Sequence, residues 1–268
     1  MNYNKLKKLL DDLYLGYKHA FSSKDPVWKL RNYKDERDAE LAGFITAVYT
    51  YGSVDQINKF IEMFMNRISN KPYEFIINFS KHKDKKYLKG LNYRFNSDSD
   101  AVKLINALNA VLTQYGSLKN LFSRGYNNNH ENIISALSNF SGEINRNINH
   151  VKGTYSHYMV TNPASGSAGK RMNLFLRWMI RKDEIDLGLW NNIPASKLII
   201  PVDTHIARIS KKLKLVERKS IDIKFAVELT ETLRKFDPDD PVKYDFSLCH
   251  VGIEEKIIIN TAVTVIGQ

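Results

Sequence analysis

The sequence predicts an all-α fold, and three observations carry that expectation. Apolar residues recur at spacings of three and four in one segment after another, the period of a helix with one buried face. No series of alternating apolar and polar residues, bounded by Asn-Gly or Asp-Gly turns, marks strands. Only 13 Gly and 7 Pro punctuate the 268 residues, and no internal repeat divides them.

The elements follow in order. Leu6, Leu9, Leu10, Leu13, Tyr14 and Tyr17 line one face of an N-terminal helix that Asp25-Pro26 ends. Glu40–Tyr51 is apolar on every side, which predicts a helix running through a core, with Gly52 as its stop. Gln56–Ser69 carries Ile57, Phe60, Ile61 and Phe64 at helical spacing, and Tyr73–Phe79 predicts a shorter helix. Next come Lys81, His82, Lys83, Lys85, Lys86, Lys89 and Arg94, interleaved with Tyr87, Tyr93 and Phe95. A solvated basic helix end and a phosphate-contacting surface both fit that stretch. Asp98–Tyr115 returns to helical periodicity through Ala101, Leu104, Ile105, Leu108, Val111 and Leu112, Asn127-Asn128-Asn129 reads as a loop, and Ile133–Phe140 as a short helix. The small-residue segment Pro163–Lys170 feeds the apolar helix Met172–Ile180. Pro201–Arg208 opens another helix, with Ile206, Ile209 and Leu213 inside and Lys211, Lys212 and Lys214 outside. The loop Gly153–Ser165 is the best boundary, giving helical subdomains 1–151 and 152–268 within one unit spanning 1–268.

Composition bounds the function. Lys and Arg number 40 against 29 Asp and Glu, a formal charge of +11, so an anionic partner is the leading expectation. The single cysteine, Cys249, rules out a disulfide within the chain, a structural zinc site and a cysteine-ligated iron–sulfur cluster. No run of about 18 apolar residues crosses a membrane, and no charged region followed by an apolar run opens the sequence. These features predict a soluble, cytoplasmic protein in a reducing compartment. No His/Asp/Glu grouping has metal-ligand spacing, and no cofactor is expected.

Two segments carry candidate chemistry. A tight loop leading into a helix brings backbone N–H groups toward an anion, where the helix dipole also favours negative charge. A Walker loop is excluded, because Ala164 stands where a Gly is required and Arg171 where a hydroxyl follows the Lys. Asp203 falls at the N-cap of its helix, a position where a carboxylate satisfies unpaired N–H groups.

These segments together resemble the helix-hairpin-helix DNA glycosylase superfamily, in which a Gly-x-Gly-x-Lys hairpin opens a helix and a Val-Asp-Thr-His-like segment begins a later one. Gly166, Ser167, Ala168, Gly169 and Lys170 supply the hairpin, with Ala168 in place of the second Gly, and Asn173 follows where family members often have Asn. Val202-Asp203-Thr204-His205 supplies the second motif, so that the resemblance spans 163–214. Lys170–Met179, Ile200–His205 and Phe236–Phe246, with Glu40–Ile45 and Tyr51-Gly52, also resemble a bacterial and archaeal family labelled only as a domain of unknown function. Lys170 and Asp203 lie 203 − 170 = 33 positions apart, with Asp183–Ser196 as an inserted connection, an arrangement similar to that of archaeal 8-oxoguanine glycosylases.

The resemblance implies a fold of two helical subdomains around a cleft and a monomeric base-excision enzyme with AP lyase activity on double-stranded DNA carrying a damaged base. It implies Lys170 as the Schiff-base nucleophile and Asp203 as the stabiliser of positive charge on the sugar. Gly166, Ser167, Ala168, Gly169, Arg171 and His205 become DNA contacts, together with Lys83, Lys85 and Lys86. A base removed from its stack enters an aromatic pocket, for which Phe175, Trp178 and Trp190 are the candidates. Two other readings stand beside this one: a non-catalytic nucleic-acid-binding module on the same scaffold, and a helical protein-interaction scaffold.

Overall fold

The computed structural model describes residues 3–20, 25–148 and 159–254. Helices supply the regular structure, and among the described residues the only β-type pairings are two isolated bridges, Tyr93 with Asn96 and Lys182 with Leu187. The fold is all-α. Two compact units divide the chain, a middle unit of residues 24–164 and a terminal unit that joins residues 1–23 to 165–268. This differs from the expected break after residue 151. The N-terminal helix groups with the C-terminal half because polar clasps tie it there, and part of the expected boundary, residues 153–158, lies outside the described residues.

The middle unit holds α2 (Val27–Leu30), α3 (Glu36–Val48), α4 (Val54–Arg67), α5 (Pro72–Ile77), α6 (Lys81–Leu88), α7 (Asp98–Tyr115), α8 (Leu118–Gly125) and α9 (Ile134–Ile148). Every residue of α3 from Ala39 to Val48 is buried, as its apolar pattern predicts. The helix starts earlier than expected, where the Asp35 side chain accepts from the Arg37 N–H at 2.9 Å. It also ends three residues before Tyr51, and Gly52, with φ of +105°, lies beyond it in the turn to α4 rather than at its terminus. Phe44 meets Phe140 of α9 edge-on at 5.9 Å, and Phe140 meets Phe122 of α8 at 5.8 Å. Glu40 is charged but buried, and its carboxylate accepts the backbone N–H groups of Leu118 and Lys119, both at 3.0 Å, at the N-terminus of α8. α9 runs eight residues past the predicted end at Phe140.

The terminal unit holds α1 (Tyr3–Ala20), α10 (Lys170–Ile180), α11 (Thr204–Lys212), α12 (Ile223–Arg234) and α13 (Asp245–Glu254). α13 packs against both α1 and α11. Tyr244 donates to Asp11 at 2.8 Å, and Tyr14 donates to Asp183 at 3.0 Å while accepting from Arg181 at 2.9 Å, so α1 is fastened to this unit at two points. Burial pushes the Tyr14 hydroxyl up to about 12, which keeps it a donor. The inserted connection after α10 folds back on that helix. Leu187 and Gly188 donate to the Trp178 carbonyl at 2.9 and 3.2 Å and Trp190 donates to Met179 at 2.7 Å, satisfying carbonyls that a helix C-terminus leaves open.

Candidate functional site around Lys170 and Asp203

The approach to α10 is built on two left-handed glycines. Gly166 has φ of +85° and Gly169, the N-cap, has φ of +63° and ψ of +26°, conformations that cost a residue with a Cβ. Ala168 is absent from the positive-φ positions, so its Cβ is no obstacle and the second left-handed role falls to Gly169. Ser167 Oγ accepts from the Gly169 N–H at 3.2 Å, Asn173 Nδ2 donates to the Ala168 carbonyl at 3.0 Å, and the Gly166 carbonyl accepts from Ile223 of α12 at 3.2 Å. Lys170 therefore begins α10 with its backbone fixed from three sides, half-buried beside half-buried Arg171. Gly166 is exposed and Ser167 and Ala168 are half-buried, leaving the loop open to a ligand.

Asp203 caps α11. Its Oδ1 accepts the Ile206 N–H at 2.8 Å, while Oδ2 accepts the Cys249 thiol at 3.5 Å. One carboxylate oxygen thus holds the helix and the other faces α13. His205, in the first turn, is half-buried, with Nδ1 3.5 Å from Arg208.

Cys249 of α13 lies against the Asp203 carboxylate. Burial raises the thiol well above its ordinary range, the Asp203 and Asp245 carboxylates raise it further, and the Lys170 ammonium acts in the opposite direction. The thiol is therefore protonated at neutral pH and serves as a donor to Asp203. The Asp203–Cys249 hydrogen bond joins α11 to α13, and the Arg177–Asp245 pair joins α13 to α10, the helix that Lys170 opens.

Behind them lies a buried ionic network. Arg177, one face of α10 along from Lys170, pairs with Asp245 of α13 and with Asp186 at 3.1 Å. Arg181 pairs with Asp183 at 2.6 Å, Asp186 at 2.9 Å and Asp240 at 2.7 Å. Burial works against the Arg181 charge, but these carboxylates outweigh it and hold the guanidinium firmly protonated. Asp245 is pushed up to about 6 by burial, with Arg177 opposing and the Asp203 and Asp186 charges reinforcing the rise. Buried charges of this kind are costly when unpaired, and the pairing fixes the end of α13 that carries Cys249.

The remaining expected residues separate into two groups. Phe175, Trp178 and Trp190 are 0, 0 and 1% exposed, with Phe175 edge-on to Trp190 at 5.4 Å, which corrects their assignment to a base pocket: they are core of the terminal unit. Lys83, Lys85 and Lys86 are exposed on α6 of the middle unit and are not among the residues gathered at Cys249. The middle unit has its own pocket of about 450 Å³, lined in part by Leu30, Tyr33, Thr46, Ile61 and Met65. Sequence reasoning missed Cys249, Asp245 and Arg177. The signal available was Arg177 in the apolar half of α10 and Arg181 four positions on at its C-cap, charges that demand acidic partners if buried.

Among the described residues, no group of three or more His, Cys, Asp or Glu side chains stands where it could hold a metal ion, and no helix is long and apolar enough to cross a membrane.

Residues 25–254 match the family described as protein of unknown function (DUF2400). The chain belongs to that family. No curated protein and no solved structure matches it.

Proposed function

We propose that this DUF2400 protein is a DNA base-excision glycosylase with AP lyase activity, with Lys170 as nucleophile and Asp203 as its electrostatic partner. The observation that carries the reading is that α13 binds both helices that these residues open: Cys249 of α13 donates to Asp203, which caps α11, and Asp245 at the start of α13 pairs with Arg177 of α10, the helix that Lys170 opens behind a two-glycine turn. The resemblance of 163–214 to the helix-hairpin-helix glycosylases and the net charge of +11 support it.

The chemistry follows from those groups. The base leaves the sugar C1′ with the electron pair of the glycosidic bond and takes up the proton of the Lys170 ammonium, whose freed amine forms the new bond to C1′. Opening of the sugar ring places the ring-oxygen electrons and a proton on O4′ and leaves a protonated Schiff base. Loss of a proton from C2′ then expels the 3′ phosphate by β-elimination. Asp203 stabilises the positive charge that develops on the sugar, from a carboxylate whose other oxygen is already fixed to the helix. Gly166, Ser167, Ala168, Gly169, Arg171 and His205 are the residues this reading assigns to strand contacts, and Gly166 is exposed and Ser167, Ala168, Arg171 and His205 half-buried.

The test is borohydride trapping on labelled duplexes carrying 8-oxoguanine, uracil, an alkylated adenine or an abasic site, with Lys170→Gln and Asp203→Asn alongside. A trapped band lost in Lys170→Gln is expected, with 8-oxoguanine the first lane to inspect because of the spacing shared with archaeal enzymes of that specificity. A folded protein that traps on none of these duplexes refutes the lyase step, and if DNA is retained nonetheless, the non-catalytic binding module replaces it.

A further inference from the structure

Phe95 is the most exposed large hydrophobic side chain among the described residues, at 74%. Nothing about its backbone is loose. Tyr93 and Asn96 close a tight turn with two reciprocal backbone hydrogen bonds of 2.8 and 2.9 Å, leaving Arg94 and Phe95 at the tip. Arg94 has φ of +52°, a left-handed conformation that a residue with a Cβ adopts at a cost. The turn is braced from behind: Tyr93 donates to the Tyr51 carbonyl at 2.6 Å, Tyr51 Oη lies 3.1 Å from the Tyr93 carbonyl and also meets Asn96 Oδ1, and the Tyr93 ring sits 4.7 Å from that of Phe60. A Cβ at Gly52 would stand 2.9 Å from the Arg94 guanidinium, so that glycine makes room for the arginine.

The surroundings of the tip are cationic. The Arg94 guanidinium lies 5.9 Å from the Phe95 ring. The preceding helix, α6, exposes Lys83, Lys85 and Lys86 and, next to its last residue, Tyr87, 44% exposed, its ring 5.0 Å from the Lys86 ammonium. The acids of the segment are turned to backbone: Asp84 accepts from the Ser80 N–H at 2.8 Å and Asp98 from the Gly90 N–H at 2.8 Å. A rigidly presented aromatic ring beside an arginine, a few residues after an exposed lysine-rich helix, is complementary to a chain that carries flat apolar rings on a phosphate backbone.

We propose that the Tyr93–Asn96 turn and α6 form a docking surface for unpaired nucleotides, with the Phe95 ring stacking on a base and Lys83, Lys85, Lys86 and Arg94 neutralising the flanking phosphates. The surface does not depend on chemistry at Lys170. Binding without excision leaves it standing, and trapping on duplexes with unchanged single-strand affinity in Phe95→Ala removes it while keeping the enzyme.

The experiment is fluorescence anisotropy of a labelled 12-residue oligothymidylate with the full chain, over a range of salt concentrations, for wild type, Phe95→Ala, Phe95→Trp and Lys85→Ala/Lys86→Ala. Phe95→Ala is expected to weaken binding about 10-fold, within the range for loss of one aromatic stack. The slope of log affinity against log salt should be unchanged by it. Phe95→Trp is expected to retain affinity, whereas the lysine pair lowers the magnitude of the slope by about 1.4, at roughly 0.7 per phosphate for single strands. Equal affinity in wild type and Phe95→Ala overturns the proposal. So does a Phe95→Ala defect confined to vesicles of phosphatidylserine and phosphatidylcholine, an outcome that assigns the surface to an anionic membrane.

Discussion

Arg177→Met tests the buried charge arrangement behind the site more sharply than any other single change. The Arg177 side chain is 3% exposed and holds both Asp186 and Asp245. Methionine keeps part of the apolar stem and deletes the charge. Asp186 retains Arg181 at 2.9 Å, but Asp245 loses the guanidinium that opposes burial in setting its ionisation. In the wild type the Asp245 carboxyl is raised to about 6 from an ordinary 3.8. A folded-state value above the unfolded one means that the native protein binds this proton more tightly. The group's contribution to stability is therefore fully present below 3.8 and is lost as pH rises through 6.

At pH 8 that loss amounts to about 3 kcal/mol, at roughly 1.4 kcal/mol per unit. Removing Arg177 takes away the charge that lowers the Asp245 value, so the loss grows toward its upper bound, the whole cost of protonating an ordinary carboxyl at pH 8, about 6 kcal/mol. Arg177→Met should then destabilise the protein by up to about 3 kcal/mol at pH 8 and by almost nothing through this group at pH 5, where Asp245 is protonated in both proteins. Asp186, also raised by burial, adds in the same direction. Urea unfolding followed by far-ultraviolet circular dichroism at the two pH values measures the difference. A loss equal at both, or larger at pH 5, refutes the assignment of Asp245 as a buried carboxylate held ionised by Arg177. The companion Arg177→Met/Asp245→Asn should show no pH-dependent loss from this position.

Three further outcomes are expected. Asp203→Asn should leave stability within a few tenths of a kcal/mol while Asp203→Ala costs about 1 kcal/mol through the lost cap; borohydride trapping should fail in both, so the pair separates capping from chemistry. Gly188→Ala, at φ of +64° with its new Cβ only 2.5 Å from Lys182 Cβ, should cost about 2 kcal/mol or more and lower the thermal midpoint by about 5 °C. Glu40→Ala removes the carboxylate that accepts from Leu118 and Lys119 and should destabilise the middle unit by about 3 kcal/mol, read as lost amide-exchange protection across α3 and α8.

The elements that were legible in sequence are those whose cause is local. The period of α4 and α7, the unbroken apolar run of α3, the cap at Asp203 and the tight turn before Lys170 depend on residues within a few positions of one another, so the local pattern alone exposes them. α8 was not legible: at eight residues it is too short for its apolar stripe to stand out from the background. α12 and α13 also went unread, and α13, apolar on nearly every side, has a weak face preference that gives little periodic signal. Phe175, Trp178 and Trp190 show the limit from the other side, because an aromatic looks the same in sequence whether it lines a pocket or fills a core.

The sequence by itself determined a helical protein of strongly positive charge with one cysteine, and it singled out Lys170 and Asp203 through motifs short enough to be read in line. Only the tertiary structure decided that Cys249 meets Asp203 across 46 positions, that Arg177 reaches Asp245 across 68 positions, and that Phe95 is held out toward water rather than buried. The physical reason is the same in each case. Hydrogen-bonding period and capping are properties of neighbouring residues, whereas the ionisation of a buried group and the exposure of a ring depend on which distant segments pack around it.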